Sequence, residues 1–237
     1  MTSAPTMHPE AWDEIELVVF DVDGTLYDQR RLRALMARDL LLHLVTRGDL
    51  RLYRILSAYR GRRERWGERE APFGEEALIA ETAAATGVAS ARVQEAVAEW
   101  MARRPLPYLA GCRYAGLAEL FEALRRSGKK IGIFSDYPAR DKLAALGVSA
   151  DDTVSAGDPG VGFLKPHPRG LQLLMERAAV KPEATVLIGD RAERDGLAAR
   201  RAGARSLIRS ARRIAGWQTF ARYDDALFAP LQDAKKP

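Results

Sequence analysis

Two carboxylates stand at the end of the first apolar run in the chain. Leu17–Phe20 is apolar, and Asp21, Val22, Asp23 and Gly24 follow it directly. The run is too short for a typical helix and indicates a buried strand, which the Asp-Gly pair would end in a turn. Open α/β sheets bind ligands at this position, and two close carboxylates need a metal ion or a shared proton. The alternative is a surface turn that only reverses the chain.

Other polar residues follow later apolar runs in the same way. Ser135 ends the run 131–134, Asp190 comes just after the run 185–188, and Lys165 lies in a loop beyond a weaker strand. The carboxyl ends of parallel strands meet at one edge of a sheet, so these side chains are expected to converge. Carboxylates, a hydroxyl and a cation at one place suit a hard metal ion and a phosphate.

The elements that would position these residues alternate from residue 113 onward. Short apolar strands near 131–134, 153–155, 185–188 and 205–208 are separated by amphipathic helices. Strands alternating with helices predict an α/β fold with a parallel sheet covered on both faces. The tail after Ser210 is expected to pack on the core through its aromatic residues, Trp217, Phe220, Tyr223 and Phe228.

Residues 28–110 contain no strand-like run and predict an all-helical insertion. Gly48 is expected to end the first helix, and Asp49 and Ser90 are expected to cap later ones. The predicted helices cover residues 30–45, a stretch after Asp49 with Leu52, Tyr53, Ile55, Leu56 and Tyr59 on its apolar side, residues 75–86 and residues 91–103. The charged stretch 61–74 is interpreted as a loop around Trp66, and Pro105 with Pro107 closes the segment.

Composition restricts the class of protein. The chain has 237 residues, 47% of them hydrophobic and 29% charged, which is typical of a globular protein. A single cysteine, Cys112, excludes an internal disulfide framework, and no signal peptide or membrane-spanning stretch is evident, so a cytoplasmic protein without membrane contact is expected. The net charge of +5 comes without a nucleic-acid motif and suits a phosphorylated substrate instead.

Four stretches resemble the motifs of one family, in the same order. The sequence around Asp21 is similar to the first motif of the haloacid dehalogenase-like hydrolases, in the Asp-x-Asp-Gly-Thr form of the phosphatases. The other three are Ile131-Gly132-Ile133-Phe134-Ser135, Phe163-Leu164-Lys165-Pro166-His167-Pro168 and Val186-Leu187-Ile188-Gly189-Asp190-Arg191-Ala192-Glu193-Arg194-Asp195. The resemblance implies a Rossmann-like three-layer core (residues 1–27 and 111–237) and a helical cap (residues 28–110) inserted after the first strand.

The resemblance also implies a reaction, the hydrolysis of a small phosphomonoester. Asp21 would attack phosphorus and become a phosphoaspartate. Asp23 would protonate the leaving oxygen and then take a proton from the water that hydrolyses the intermediate. Ser135 and Lys165 would bind the non-bridging phosphate oxygens. The expected partner is therefore a small phosphorylated metabolite.

A magnesium ion is part of the same implied site. Asp21, Asp190 and the backbone carbonyl of Asp23 would hold Mg²⁺. Asp195 would orient metal-bound waters or Lys165 without binding the ion itself.

The chain departs from the family pattern at two positions. Asp136 follows Ser135 where Asn is common, which makes Asp136 a candidate substrate-binding residue beside the phosphate. Arg194 stands where Asn is common before the last aspartate of the fourth motif. For Arg191 and Arg194, a solvated helix start is expected rather than a substrate contact.

The insertion carries most of the positive charge of the chain. Residues 28–110 contain fifteen arginines, eleven acidic residues and no lysine. The stretch from Arg60 to Arg65 is flanked by glycines and could form a lip over the site, with Arg62 and Arg63 binding a second anion on the substrate. The alternative is a solvated basic helix end.

The motifs leave the reaction type open. A phosphotransferase or phosphomutase would use the same phosphoaspartate, and a non-catalytic phosphate-binding or regulatory module is a further alternative. A dehalogenase fits less well, because that branch of the family lacks the second acid that Asp23 supplies.

Overall fold

The computed structural model describes residues 7–233, so residues 1–6 of the N-terminal stretch, where no signal peptide is expected, lie outside it. Its strands are β1 (Leu17–Phe20), β2 (Lys130–Ser135), β3 (Asp152–Ser155), β4 (Thr185–Gly189), β5 (Arg205–Arg209) and β6 (Thr219–Phe220). They form one parallel sheet in the order β3-β2-β1-β4-β5-β6. The predicted α/β fold is confirmed, and β6 is a strand that the sequence did not predict.

Ten α-helices accompany the sheet within the described residues. They are α1 (Gln29–Arg47), α2 (Leu50–Arg69), α3 (Glu75–Thr86), α4 (Ser90–Val97), α5 (Leu106–Cys112), α6 (Leu117–Arg126), α7 (Arg140–Leu146), α8 (Arg169–Ala178), α9 (Leu197–Ala202) and α10 (Ala229–Asp233). Short 3₁₀ helices cover Pro9–Glu14, Pro182–Ala184 and Ala226–Phe228, and π-helical turns cover Ala98–Arg103 and Ala192–Gly196.

The sheet is buried on both faces because its strands are apolar on both sides. Val18 and Phe20 of β1 belong to a hydrophobic cluster that includes α6 and α7, whereas Leu17 and Val19 belong to a second cluster with α8 and α9. Alternate residues of a strand point to opposite faces, so a continuous apolar run fills both layers. Phe220, Tyr223 and Phe228 of the tail are buried as expected.

The order of the strands creates a crevice at the end of β1. β1 lies at the centre and pairs with β2 on one side and with β4 on the other. The helices that follow these strands pack on opposite faces of the sheet, which leaves an opening at the carboxyl end of β1. The side chains of Asp21 and Asp23 lie at this opening.

The chain leaves and re-enters the sheet region through two paired segments. Tyr27 and Arg113 form an isolated antiparallel bridge, and the Asp28 N–H donates to the Cys112 carbonyl at 2.8 Å. Between them lie only helices and turns. Asp28 caps α1 by accepting from the N–H groups of Arg30 and Arg31, and Gly48 ends that helix at φ 65° as predicted. Cys112 is buried and free.

The predicted loop over residues 61–74 is wrong, because α2 continues to Arg69. The buried residues of α2 recur at helical spacing and include Arg63 and Gly67 as well as apolar side chains. The buried face of α2 therefore continues through these two positions, although neither residue is apolar. Tyr53, which was expected on the buried side, is 57% exposed.

Two further expectations concerned helix ends, and the structure corrects the first of them. Ser90 is the first helical residue and Ala89 is the N-cap, without a side-chain capping bond. The helical segment that reaches Arg103 ends before Pro105 as predicted, and Pro105 and Pro107 also stand at the start of α5. Proline is tolerated in the first turn of a helix, where its missing N–H would have no partner in the helix.

None of the helices within residues 7–233 combines the length and the apolar character needed to cross a bilayer.

Candidate active site

A cavity of about 1340 Å³ opens at the carboxyl ends of the central strands. Its walls include the following predicted site residues: Asp21, Asp23, Arg63, Asp136, Lys165, Asp190 and Asp195. The cavity is also lined by residues of α1 and α2, both apolar and charged. Of the residues expected to converge from the strand ends, Asp21, Asp23, Lys165 and Asp190 line this cavity, whereas Ser135 is not among its lining residues.

Lys165 holds the centre of the site together. Its Nζ donates to Asp21 Oδ1 at 2.5 Å, to Asp195 Oδ1 at 2.6 Å and to the Phe134 carbonyl at 3.1 Å. Burial of the side chain opposes its charge, but the carboxylates of Asp195 and Asp21 outweigh this effect and raise the pKa of Lys165. The lysine is a permanent cation within a cluster of carboxylates.

Asp21 is 6% exposed and is held on both carboxylate oxygens. Its second oxygen, Oδ2, accepts from the Thr25 hydroxyl at 3.1 Å. Burial raises the pKa of Asp21 well above the ordinary value, Lys165 opposes the shift, and the charges of Asp195 and Asp190 add to it. The carboxylates of Asp21, Asp190 and Asp195 therefore lie close together, with a single lysine among them.

Asp190 is the carboxylate of this cluster that has an oxygen atom without a hydrogen-bond partner among the described residues. Burial and the charge of Asp195 raise the pKa of Asp190 to about 7. The Asp190 Oδ1 atom is buried and has no hydrogen-bond partner within the described residues. Gly24, at φ 95°, packs so closely that a Cβ there would lie 2.2 Å from Asp190 Oδ2. The backbone at Gly24 therefore packs against the Asp190 carboxylate, whose other oxygen, Oδ1, is the one without a partner.

These residues fit a hard divalent cation. Asp21, Asp190 and Asp195 each offer a carboxylate oxygen, and the three atoms lie within 4.8 Å of one another. An all-oxygen donor set suits Mg²⁺ or Ca²⁺ rather than a softer metal. Asp195 was expected only to orient the site, and its oxygens also accept from Lys165 and from the Arg191 N–H. The predicted contribution of Asp23 is through its backbone carbonyl and stays a prediction.

The Asp23 side chain is turned away from the carboxylate cluster. It accepts from Lys142 Nζ at 2.5 and 2.8 Å and from the Tyr27 hydroxyl. Burial would raise the pKa of Asp23, but the charge of Lys142 and the hydrogen bonds from Lys142 and Tyr27 lower it overall. The second carboxylate of the first motif thus faces the cavity from a separate position.

Sequence reasoning missed Lys142 and Tyr27. Lys142 lies on α7, 119 residues from Asp23, and is 8% exposed. Tyr27 stands four residues after Asp23, a spacing that alone says nothing about contact. A lysine seven positions beyond Ser135, on the helix that follows a motif strand, was a usable signal for a residue near the site.

Ser135 and Asp136 lie where β2 ends. Ser135 is 1% exposed, and its hydroxyl accepts from the Tyr137 N–H at 3.2 Å. Asp136 Oδ1 accepts from the Lys165 N–H at 2.9 Å, and burial raises the pKa of this carboxyl. Asp136 therefore anchors the loop that carries the central lysine, and its substrate-binding role stays a prediction.

The structure does not form an arginine lip from Arg62 and Arg63. Arg63 is 4% exposed and donates to the Tyr59 hydroxyl, to Glu75 Oε2 at 2.7 Å and to the Asp136 carbonyl. Arg62 donates to the Ala58 carbonyl and borders a separate cavity of about 520 Å³. Arg63 lines the active-site cavity but is bonded to groups of the protein, and Arg62 is not among the residues that line this cavity.

The expectation of a solvated helix start is wrong for Arg194. Arg194 is 6% exposed and donates to the Lys165 carbonyl and to the Glu64 carbonyl of α2. Gly67 makes room for it, because a Cβ at that position would lie 1.7 Å from Arg194 Nη1. Arg191 is partly exposed and bonds Glu64 at 2.6 Å. Both arginines tie α2 to the loop after β4.

Known proteins show the same architecture. The chain resembles the magnesium-bound HAD-hydrolase YfnB from Bacillus subtilis (17% identity, TM-score 0.65, covering 88% of this chain and 95% of that one). It also resembles a 2-haloacid dehalogenase from Pseudomonas syringae (19%, 0.59, 88% and 95%) and a HAD phosphatase from Thermococcus onnurineus (20%, 0.59, 88% and 94%). At these identities the likeness concerns the fold. No curated protein sequence matches the chain significantly.

The family is decided by the sequence match. The model of the haloacid dehalogenase-like hydrolases matches residues 15–203, which include all four motifs and the residues gathered around Lys165. The chain therefore belongs to the haloacid dehalogenase-like hydrolases.

Proposed function

We propose that this hydrolase is a Mg²⁺-dependent phosphatase of small phosphomonoesters that works through a phosphoaspartate on Asp21. The observation that carries the proposal is the second carboxylate. Asp23 faces the cavity outside the carboxylate cluster, on Lys142 and Tyr27, where a proton donor for a leaving group is needed. A halide leaves without a proton, whereas an alkoxide needs one, so this carboxylate favours an oxygen leaving group over dehalogenation.

The two steps balance in protons and bonds. Asp21 attacks phosphorus, the bond from phosphorus to the leaving oxygen breaks, and that oxygen takes a proton from Asp23. The negative charge of a bound phosphomonoester favours the protonated form of Asp23 that this step needs. Asp23 then takes a proton from the water that attacks the phosphoaspartate, which frees Asp21 and inorganic phosphate. Lys142 and Tyr27 favour the carboxylate form that the second step needs.

The cationic residues of the site stabilise the transferring group. Lys165 keeps Asp21 in place and places a positive charge beside the phosphate, and the Ser135 hydroxyl would bind a further oxygen. Mg²⁺ held by Asp21, Asp190 and the Asp23 carbonyl would neutralise the negative charge that nucleophile and phosphate share. The buried and unpartnered Asp190 Oδ1 supports this metal. We also propose a cytoplasmic location and a helical cap at residues 28–110.

A phosphotransferase or phosphomutase remains the second candidate, since it would form the same phosphoaspartate. Only the fate of that intermediate separates the two, because a transferase passes the phosphoryl group to an alcohol faster than to water. Asp23 serves either acceptor, so its position does not favour one of them. A non-catalytic binding module is opposed by the complete set of Asp21, Asp23 and Lys165 in one cavity.

The test is phosphate release over a panel of sugar, nucleotide, amino-acid and cofactor phosphates, with and without Mg²⁺. The wild type should release phosphate from at least one class, and Asp21→Asn should lose activity by several orders of magnitude. Arg31→Gln is the matched control, because Arg31 is exposed and lies outside the cavity wall. Near-normal phosphate release by a folded Asp21→Asn protein would exclude the phosphoaspartate. Transfer of the phosphoryl group to added alcohols instead of water would identify a transferase.

A further inference from the structure

The active-site cavity is lined by cations that differ in whether they have a partner. Half of them are paired with carboxylates inside the protein, namely Lys142, Arg63, Lys165, Arg191 and Arg194. The others form no ion pair with any residue between 7 and 233, and they are Arg30, Arg33, Arg60, Arg209 and Arg212. The cavity therefore presents a surplus of positive charge that the described protein does not neutralise.

Two of the unpaired arginines, Arg33 on α1 and Arg60 on α2, line the cavity and act electrostatically on residues next to Asp23 and Lys142. Asp23, the proton donor of the proposed reaction, is bonded to Tyr27, and the positive charge of Arg33 opposes the raised pKa of this tyrosine. Arg60 acts in the same way on the pKa of Tyr137, which burial raises and whose ring lies 5.3 Å from Lys142 Nζ. Arg33 and Arg60 are thus electrostatic neighbours of the groups around Asp23.

The helices hold both arginines towards the cavity. On α2, Arg60 stands three residues before Arg63, on the same side of the helix. Arg63 is anchored to the Asp136 carbonyl, so α2 is fixed against the end of β2 with Arg60 beside it. On α1, Arg33 belongs to a cavity-lining stripe at helical spacing, together with Leu32, Met36 and Leu40. Both arginines are exposed, so binding an anion costs little desolvation.

Apolar side chains also line the cavity near the arginines. Leu32 and Met36 of α1 and Leu56 of α2 line the same cavity. A ligand that fits this region has a phosphate at Asp21, a short carbon skeleton along the apolar wall and an anionic end at the arginines. Arginine binds carboxylate and phosphate oxygens through two parallel hydrogen bonds, so either anion suits the two side chains.

We propose that Arg33 and Arg60 bind a second anionic group on the alcohol portion of the substrate, so that the physiological substrate is a phosphomonoester with a carboxylate or a second phosphate on its leaving group. This inference rests on the proposed phosphatase function. Arg33 and Arg60 thus take the role that the sequence suggested for Arg62 and Arg63. Arg62 borders a separate cavity, and Arg63 is already bonded to groups of the protein.

The experiment compares three substrates with one carbon skeleton: the phosphate ester of a short ω-hydroxy acid, the phosphate ester of its amide, and the bisphosphate of the matching diol. Variants are Arg33→Gln, Arg60→Gln and the double variant. Arg31→Gln on α1 and Arg54→Gln on α2 are controls, because these exposed arginines do not line the cavity. The measured quantity is kcat/KM for each anionic substrate divided by kcat/KM for the amide.

We expect the wild type to prefer one or both anionic substrates, and each single variant to lower that preference by roughly tenfold, as for a lost charged hydrogen bond. The double variant should remove it, while turnover of the amide stays within about twofold of wild type. The preference of the wild type should shrink with added salt, because salt screens exposed charges. The anionic substrate whose preference is lost in the double variant then identifies the second group as a carboxylate or a phosphate.

Equal losses for all three substrates, or unchanged preference in the double variant, would overturn the inference. Turnover of the amide that depends on Asp21 would still support a phosphatase in either case. Calorimetric titration of the same three esters into Asp21→Asn protein, with and without the arginine substitutions, tests the arginines even if no ester is turned over. Tighter binding of the anionic esters that disappears in the double variant supports the inference, and equal affinities for all three esters contradict it.

Discussion

At the scale of single residues, the two carboxylates of the first motif have opposite surroundings. Asp21 shares a buried cluster with Asp190 and Asp195, and its pKa is raised. Asp23, two residues later, is bonded to Lys142 and Tyr27, and its pKa is lowered. Two carboxyl groups whose environments shift their pKa values in opposite directions are suited to different chemical roles.

The role proposed for Asp23 predicts a dependence on the leaving group. Asp23→Asn keeps the shape of the side chain but cannot donate the proton. An aryl phosphate has an acidic leaving group and needs little protonation, so phosphoenzyme formation should slow less for aryl than for alkyl phosphates. Single-turnover measurement of the first step checks this. Equal slowing for both leaving-group types would count against Asp23 as the acid.

His167 predicts a pH dependence of stability. Burial lowers its pKa, its ring stacks on Phe163 with centroids 3.9 Å apart, and its Nδ1 accepts from the Arg169 N–H. The folded protein therefore binds this proton less readily than the unfolded chain. The stabilising contribution is present above the unfolded pKa, near 6.5, and is lost as the pH falls towards the folded value.

His167→Asn keeps an acceptor at the same position but does not titrate. Between pH 7.5 and 5.5, the free energy of unfolding of the wild type should fall relative to that of this variant. Urea denaturation at both pH values provides the comparison. Parallel changes in the two proteins would show that His167 makes no contribution to the pH dependence.

At the scale of elements, two helical glycines allow the effects of packing and of helix propensity on stability to be measured separately. Gly170 in α8 is buried against β2, and a Cβ there would lie 2.2 Å from the Phe134 ring. Gly61 lies inside α2, and a Cβ there would meet only the end of the Arg65 side chain, at 3.7 Å. Both positions are helical, so alanine should gain helix propensity in each, but only one has room for the methyl group.

We therefore expect the two alanine substitutions to have opposite signs. Gly170→Ala should lower the free energy of unfolding by about 1–3 kcal/mol, because the Phe134 ring must move in a packed core. Gly61→Ala should raise it by about 0.5–1 kcal/mol. Chemical denaturation of both variants measures the difference. A loss of stability in Gly61→Ala would contradict the continuous helix through residue 61.

At the scale of the whole molecule, the cation site joins distant parts of the chain. Asp21 follows β1, whereas Asp190 and Asp195 follow β4, and the two segments meet only in the folded sheet. An ion bound there binds the native state and not the unfolded chain. Mg²⁺ should therefore raise the melting temperature by roughly 5–10 °C at a hundredfold excess over Kd.

Asp190→Asn provides the matched variant for this prediction. The substitution removes one carboxylate charge and should reduce the magnesium-induced shift to a small fraction of the wild-type value. Thermal unfolding in MgCl2 and in KCl at equal ionic strength makes the comparison. A shift of equal size in both proteins would place the bound ion elsewhere.

The sequence by itself determined the features that depend on neighbouring residues. The apolar runs predicted β1 to β5, Gly48 marked the end of α1, Asp49 marked the start of α2, and the four motifs predicted the residues that meet at the sheet edge. These signals are local, because a strand needs a short apolar run and a cap needs one side chain next to its helix. The parallel arrangement then follows from the alternation of strands and helices.

Only the tertiary structure decided the partners of the charged residues. Lys142 meets Asp23 across 119 positions of sequence, and Arg194 fills the space beside Gly67. Arg63 and Gly67 looked like parts of a loop because neither is apolar, yet packing buries both on one side of α2. A buried charge or glycine is stable only through the groups that fold against it, and those groups are not its neighbours in the sequence.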